Sequence, residues 1–354
     1  MKERVVVAMS GGVDSSVTAC LLKERGFEVI GITMCLGLAD SIRKKPSCCG
    51  IQGIEDARRV AHKLGIKHYV LNMQDVLEEK VINNFCKEYL EARTPNPCVR
   101  CNQYLKFGVL LKKMFSLDAR FLATGHYARI EKNQNYALKK AKDKIKDQSY
   151  FLYRLGKVQL RHILFPLGNY TKDSIRNLAR RFDLPVADKI ASQEICFLPE
   201  EDYRSFLSAR IGKKLKPGNI VDKNGNILGL HKGIAYYTIG QRQGLGIAKG
   251  YPLYINKLDP KNNQITAGKK EDCFKKEFFV KKAHFISGPI KKKILARVKI
   301  RYNQKEKPAE ILPFRNRLKI MFKESQFAIT PGQSAVFYKK DTVLGGGIID
   351  EVLA

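Results

Sequence analysis

VVVAMSGGVDSS, Val5 to Ser16, joins an apolar run to a polar, glycine-containing turn and then to the start of a helix. Val5, Val6, Val7 and Ala8 offer no polar face to water, which predicts a strand buried on both sides. Gly11 and Gly12 allow a sharp turn that brings backbone N–H groups close to an anion. Asp14, Ser15 and Ser16 then begin a helix whose unsatisfied N–H groups and positive dipole end favour phosphate. The stretch reads as a phosphate cradle. The plainer reading is a glycine turn that merely joins strand to helix.

A Walker loop is excluded. That motif needs a longer spacer and a Lys-Ser/Thr ending, and the first lysine after this turn is Lys23. The pattern SGG-x-DSS at the end of a first strand resembles instead the pyrophosphatase loop of ATP enzymes that release pyrophosphate and leave AMP on an acceptor.

Working outward, strands and helices alternate through the first half, which predicts an α/β fold with a parallel sheet. A helix over Val17 to Lys23 stops near Gly26, and Val29 to Met34 make a second strand. Ile54, Ala57, Ala61 and Leu64 share a helical face that Gly65 ends. Tyr69 to Leu71 and Phe121 to Ala123 are further strands. Ligands of such sheets sit beyond the carboxyl ends of strands, so Met34 and Gly125 are expected at the nucleotide, with Met34 against adenine or simply in the core. TPNPCVRCN, Thr94 to Asn102, reads as a shaped loop because its prolines remove donors and oppose a helix start before Cys98. A helix over Leu105 to Met114 follows, with Leu105, Val109 and Leu110 inward. TGHYAR, Thr124 to Arg129, leads into a hairpin; KDQSY, Lys146 to Tyr150, comes next. Thr171 caps a helix over Lys172 to Phe182 that carries Arg176, Arg180 and Arg181 on a solvated face. ASQEICF, Ala191 to Phe197, is another loop.

The alternation stops near Tyr203. Glycines at 212, 218, 225, 229, 233, 240, 244 and 246 punctuate a β-rich connector with TIGQRQGLGI, Thr238 to Ile247, as its densest polar turn. Beyond Phe278 the pattern is all β. Ile294, Ala296, Val298 and Ile300 alternate with Leu295, Arg297, Lys299 and Arg301, so one face packs and the other is mostly basic. With strands near Leu318 to Phe322, Ala335 to Tyr338 and Ile348 to Val352, the end of the chain reads as a small barrel. The expected domains are 1–202 (catalytic), 203–275 (connector) and 276–354 (C-terminal β-barrel).

The chain has 354 residues, enough for two or three cores. Its 65 lysines and arginines against 34 acids give a formal charge of +31, which points to a polyanionic partner such as nucleic acid. A lysine-rich proteome would produce the same excess. Nine cysteines without a paired pattern, and no leader or bilayer-spanning apolar run, predict a cytoplasmic protein in a reducing compartment, with no membrane partner.

Cys98 and Cys101 form a Cys-x-x-Cys, and Cys196 lies in the later loop. Zinc sites, redox pairs and clusters all use such a pair. Cys48 and Cys49 are adjacent, which suits tetrahedral ligation poorly. Three cysteines would leave one iron of a four-iron cluster without a protein ligand. Cys20, Cys35, Cys86 and Cys273 read as small packed hydrophobes.

Taken together, SGGVDSS, TPNPCVRCN, ATGHYAR, KDQSYFLY, ICF, GQRQGLGI, TPGQSAVFY and LGGGII resemble the bacterial-type tRNA-specific 2-thiouridylase family along essentially the whole chain. That family makes 2-thiouridine at the wobble position of tRNAs for lysine, glutamate and glutamine. The resemblance implies ATP binding by Ala8, Met9, Ser10, Gly11, Gly12, Val13, Asp14 and Ser15 with Met34 and Gly125. It implies Cys101 as nucleophile and Cys196 as persulfide carrier. Asn96, Pro97 and Cys98 would lie beside the target base, and Asp147, Gln148, Ser149, His126, Arg301, Tyr302 and Gln333 would contact tRNA. Many members carry aspartate where this chain has Cys98, and the Cys-x-x-Cys form implies a [4Fe-4S] cluster on Cys98, Cys101 and Cys196.

The implied reaction adenylates the uridine O2, releases pyrophosphate and lets sulfur displace AMP from C2. Magnesium would neutralise developing charge, with Asp14 as a candidate contact. The base edge is inaccessible in a stacked anticodon, so the uridine is expected to turn outward into a pocket between the cysteine loops. Sulfur would come either from a Cys196 persulfide released through a disulfide with Cys101, or from hydrosulfide on a cluster; the latter gives Cys98 a role. A separate sulfur donor or cysteine-desulfurase relay is implied. Two other classes share parts of the pattern: an amide-forming synthetase acting on a small molecule, and a non-catalytic RNA-binding cluster protein.

Overall fold

The computed structural model describes residues 2–37, 50–132, 134–190, 195–198 and 203–353. Cys48, Cys49 and most of the Ala191–Phe197 loop lie outside them. The chain divides into two compact units, one of 1–81, 97–201 and 341–343, the other of 82–96, 202–340 and 344–354.

The first unit holds a five-stranded sheet. Its strands are β1 (Arg4–Ala8), β2 (Glu28–Cys35), β3 (Lys67–Asn72), β4 (Phe121–Thr124) and β7 (Ile163–Leu164), in the order β3-β2-β1-β4-β7. All four pairings are parallel. Val5, Val6 and Val7 of the central β1 are fully buried, as expected of a continuous apolar run, and each contributes about 1.5–3 kcal/mol by leaving water. β3 is an edge strand and half-exposed, with Tyr69 and Val70 open to solvent. Helix α1 (Val13–Glu24) begins four residues earlier than its expected apolar stretch and ends before Gly26, which has φ +84°. Helix α2 (Ile51–Lys63) buries Ala57 and Ala61, and Gly65 follows it at φ +57°. β5 (Ala128–Lys132) and β6 (Tyr136–Lys140) form the expected hairpin. Thr171 accepts from the Ser174 N–H and caps the helix Lys172–Arg181.

The expected loop over Thr94–Asn102 needs correction. A helix starts at Pro97, includes both Cys98 and Cys101, and continues without a break in helical form through Asn102–Leu110 and Leu111–Phe115. Proline opposes a helix interior, but in the first turn its missing N–H has no intrahelical partner to lose. Leu105 and Leu110 are buried as expected, whereas Val109 is half-exposed and Phe107 takes an inward place.

The second unit opens its long segment with a helix, Tyr203–Ile211, where only short strands were expected. Tyr203 stacks on Tyr89 at 5.2 Å, and Phe206 meets Phe85 edge-on at 6.0 Å. β8 (Gly218–Val221), β9 (Ile227–His231), β10 (Tyr254–Asp259) and β11 (Gln264–Gly268) form a four-stranded sheet in the order β10-β11-β8-β9. β12 (Phe274–Phe285), β13 (Ile294–Lys299), β14 (Lys307–Phe314), β15 (Arg317–Phe327), β16 (Ser334–Lys339) and β17 (Thr342–Val352) follow. Their order β12-β15-β14-β13-β16-β17, with β17 paired back to β12, closes the expected barrel. Phe278, Val280, Ile311, Ile320, Phe337 and Ile349 fill it.

Candidate active site

The turn after β1 is built by backbone and hydroxyl groups. Gly11 has φ +69°, and a Cβ there would meet the Gly53 carbonyl oxygen of α2 at 2.2 Å. Both the left-handed backbone and the close approach therefore require glycine. The Ser15 Oγ accepts from the Ser10 N–H at 3.1 Å and donates to the Gly12 carbonyl at 3.1 Å, while the Ser16 Oγ donates to the same carbonyl at 2.9 Å. Gly12 is the N-cap of α1 and no side chain caps it, so the first N–H groups of α1 face the turn as an anion-binding helix end. Gly125 packs against this first turn: a Cβ on it would stand 2.9 Å from the Asp14 carbonyl carbon and the Ser15 nitrogen. Met9 and Val13 are buried in the core.

Beside the turn lies a cavity of about 80 Å³ lined by Ala8, Met9, Ser10, Ile32, Thr33, Met34, Lys106, Thr124 and His126. It brings together Ala8, Met9, Ser10 and Met34, expected at ATP, with His126, expected at tRNA. His126 is 8% exposed. Its Nδ1 lies 2.7 Å from the Thr124 Oγ1, and its ring lies against Phe107 and Phe165. Burial, helped by the Lys106 charge, holds its pKa well below the ordinary histidine value, so it is neutral at pH 7. Across the sheet end, the Thr33 Oγ1 is 2.8 Å from the His68 Nε2. A larger cavity, about 820 Å³, lies in the second unit and contains none of the residues expected to handle ATP or sulfur.

Asp14 is engaged from two sides, by the Tyr127 hydroxyl at 2.8 Å and the Lys172 ammonium at 2.7 Å, both on Oδ1. Burial and then the Asp14 charge raise the Tyr127 phenol far above its usual range, so it donates and does not ionise. On the other flank, Lys189 donates to the Gly11 carbonyl at 3.2 Å and to the buried Asp56 at 2.5 Å. Lys106, Lys189 and Asp56 were not expected here and lie in none of the motifs quoted above, whereas Thr124 and Tyr127 belong to TGHYAR but carried no expected role; each reaches the turn or its cavity from another segment.

Cys98 and Cys101 stand three residues apart on the helix Pro97–Cys101, a spacing that puts both on one face. Both are half-buried, as is Cys196. Burial, then the nearby Cys196, pushes the Cys98 thiol up to about 11. Cys98 is therefore protonated at neutral pH as the protein stands, and nucleophilic attack would require its thiolate. Among the described residues no group of three His, Cys, Asp or Glu side chains is arranged to hold a metal ion, so as they stand Cys98, Cys101 and Cys196 do not fit an iron–sulfur cluster. The described cysteines form no disulfide.

The remaining expected RNA contacts fall in both units. In the first, Asp147 and Ser149 are buried: Asp147 Oδ1 accepts from the Ala141 and Ser149 N–H groups, and Oδ2 from the Ser149 hydroxyl at 2.8 Å. Gln148 bonds the Tyr127 backbone on both its N–H and C=O. Pro97 is buried beside half-exposed Cys98. In the second unit, Asn96 is half-exposed. Gln333 donates to the Thr94 and Pro95 carbonyls at 3.3 and 3.2 Å. One Arg301 nitrogen reaches the Ile239 and Ala328 carbonyls and the Thr330 hydroxyl at 2.9, 3.1 and 2.6 Å. Tyr302 is half-buried with the Lys299 ammonium 5.3 Å from its ring.

Residues 3–200 match the family model described as a tRNA methyl transferase HUP domain, 204–269 one described as a tRNA methyl transferase PRC-barrel domain, and 275–349 one described as an aminomethyltransferase β-barrel domain. The chain is 52% identical over 357 residues to the tRNA-specific 2-thiouridylase MnmA of Halothermothrix orenii, covering 99% of each. It is 51% identical over 359 residues to tRNA-specific 2-thiouridylase MnmA 1 of Caldanaerobacter subterraneus, again covering 99% of each.

Proposed function

The chain belongs to the tRNA-specific 2-thiouridylase family, and from that premise we propose that it converts a wobble uridine of tRNA to 2-thiouridine at the expense of ATP. The observation that carries the reading is the cavity in which the phosphate turn, through Ala8, Met9 and Ser10, meets Lys106 of the cysteine-bearing helical run and neutral His126. A phosphate cradle has no task in methyl transfer, despite the wording of the family descriptions, whereas adenylation needs one.

In this reading ATP lies across the carboxyl ends of β1, β2 and β4, with its phosphates on the turn. The uridine O2 attacks the α-phosphate, the bond to the β-phosphate breaks, and pyrophosphate leaves with the electron pair. Backbone N–H groups of the turn and the first turn of α1 take up the charge that develops. Magnesium, when bound, would neutralise the phosphates, and the Asp14 carboxylate, already bonded by Tyr127 and Lys172, would help to hold the ion. The terminal sulfur of a Cys196 persulfide then adds to C2. Cys101, as thiolate, attacks the Cys196 sulfur and breaks the S–S bond. The electron pair forms C=S and expels AMP, leaving a Cys101–Cys196 disulfide for an external thiol to reduce. No step passes through a cluster.

The substrates are tRNAs for lysine, glutamate and glutamine, with a separate persulfide donor. The positive charge of +31 supports a polyanionic substrate. The three matched segments support a catalytic domain over 1–202, a connector over 203–275 and a barrel over 276–354. Among the described residues no helix is long and apolar enough to cross a membrane. The test is ATP-dependent 2-thiouridine formation on these transcripts, with pyrophosphate counted against product. Pyrophosphate release that follows a small acceptor but not tRNA would make the enzyme an amide-forming synthetase and end this reading.

A further inference from the structure

The phosphate turn has no lysine of its own, and the structure brings cations to it from elsewhere. Lys23, the first lysine after the turn, donates to the Leu64 carbonyl. Lys172 is matched by Asp14 at 2.7 Å. Lys189 differs: it comes from 178 positions away in the chain and touches the turn itself, at the Gly11 carbonyl, 3.2 Å from its ammonium.

Its other partner, Asp56, is 3% exposed and projects from α2, the helix whose Gly53 abuts Gly11. Asp56 also accepts from Arg59, and from Gln52 at 3.2 Å. One carboxylate thus faces two cations, Lys189 and Arg59, leaving a surplus positive charge beside Gly11. Burial would raise the Asp56 pKa, but bonds from Lys189, Gln52 and Arg59 hold it below the ordinary carboxylate value, so the carboxylate stays charged and keeps the lysine in place. An ammonium has three N–H donors, and the two bonds described leave capacity for another acceptor. The Lys189 side chain is 24% exposed, so it is reachable from solvent.

We propose that Lys189 binds the β- and γ-phosphates of ATP, supplying from a distant segment the cation that the turn lacks, with Asp56 as the positioning residue that parks it at Gly11. This rests on reading the turn as an ATP site. As the bond between the α- and β-phosphates breaks, the electron pair moves onto departing pyrophosphate. A fixed ammonium there stabilises the leaving group more than the substrate.

The test compares ATP and AMP binding to the full-length chain by equilibrium competition, for wild type, Lys189→Met, Lys189→Arg and Asp56→Asn. In Lys189→Met, ATP should weaken by about 10- to 100-fold, the range of a lost charge-assisted bond, while AMP stays within about twofold. Inhibition by pyrophosphate should weaken in parallel with ATP. Lys189→Arg, which keeps the charge, should retain most of the preference for ATP over AMP, whereas Asp56→Asn, which removes the charge that holds the lysine at Gly11, should lose part of it. Equal weakening of ATP and AMP in Lys189→Met would make the lysine a structural tie and overturn the proposal, as would unchanged ATP binding. If Lys189→Met fails to fold, an ATP preference unchanged from wild type in Asp56→Asn overturns it equally. A wild-type chain that binds neither nucleotide would instead bring down the ATP site on which the proposal rests.

Discussion

Residues 5–16 and 94–102 are both short stretches punctuated by glycine or proline, yet they are determined in different ways. The phosphate turn is closed by its own members: Ser15 bonds Ser10 and Gly12, and Ser16 bonds Gly12. The cysteine stretch is fixed by distant partners. The Thr94 N–H donates to the Pro331 carbonyl, and Gln333 holds the Thr94 and Pro95 carbonyls. Further along, Arg100 donates to the Lys80 carbonyl at 2.6 Å and Asn102 to the Phe151 carbonyl at 3.2 Å. Chemistry made by neighbours in sequence can be read from sequence. Chemistry set by partners 20 to 239 positions away cannot.

The sharpest way to break this contrast is Gly11→Ala. A Cβ 2.2 Å from the Gly53 oxygen, on a backbone at φ +69°, must displace α2 or the turn. Overpacking and left-handed strain together cost about 2–5 kcal/mol. ATP-dependent pyrophosphate release should fall by at least about 100-fold, with a lowered melting temperature. Release within about tenfold of wild type would show that the turn does not depend on its own backbone.

The cysteine stretch carries the next largest effect. Cys101→Ala should abolish thiolation from a persulfide donor, and Cys98→Ala should keep it within about fivefold, a change of roughly 1 kcal/mol. Because the Cys98 thiol titrates only at about 11, it should resist iodoacetamide at pH 8, mapped by peptide mass. Iron and sulfide analysis after anaerobic purification is the counter-test. About four irons per chain, lost with activity in Cys98→Ala, would restore the cluster and give Cys98 its role.

The same division runs through what the sequence revealed. The buried β1 run, the parallel order around it, the cap at Thr171 and the closing barrel all follow from periodicity or from residues next to one another. The helix through Cys98 is hidden because proline opposes a helix interior yet is at home in a first turn. Tyr203–Ile211 is hidden by the close spacing of the glycines that follow it. At the site, Ser10, Gly11 and Ser15 were legible. Lys106, Lys189 and Asp56 were not, since their roles exist only once β1, α2 and the later segments meet.

His126, on the cavity wall that the turn shares with Lys106, tests the electrostatics of that meeting. Burial, then Lys106, depresses its pKa in the folded chain. The unfolded chain therefore takes up a proton first, near about 6.5, and folding loses stability as pH falls below that value. The slope from this residue is at most about 1.4 kcal/mol per pH unit. His126→Gln should flatten the fall of melting temperature between about pH 6.5 and 5, while leaving the profile above it unchanged. An unaltered slope would mean that the ring titrates normally and that the cavity is wet.

The smallest expected effect separates holding from touching in the second unit. One Arg301 nitrogen spans the Ile239 and Ala328 carbonyls and the Thr330 hydroxyl, tying two loops together. A guanidinium used in this way is committed to the loops it fixes, and under the proposed function it would serve tRNA through them. Arg301→Lys keeps the charge, but its ammonium ends one bond short of the guanidinium nitrogen that makes all three bonds, and it should lower stability by about 1–2 kcal/mol. A phosphate contact would respond differently. Neutralising one fewer phosphate, as in Arg301→Gln, reduces the slope of log affinity against log salt by roughly 0.7–0.9. The expected slope for tRNA binding by Arg301→Gln is that of the wild type, with affinity shifted equally at every salt concentration. A slope reduced by about one would move Arg301 from the scaffold to the RNA surface. It would also show that in the barrel, unlike the phosphate turn, one side chain both builds the site and fills it.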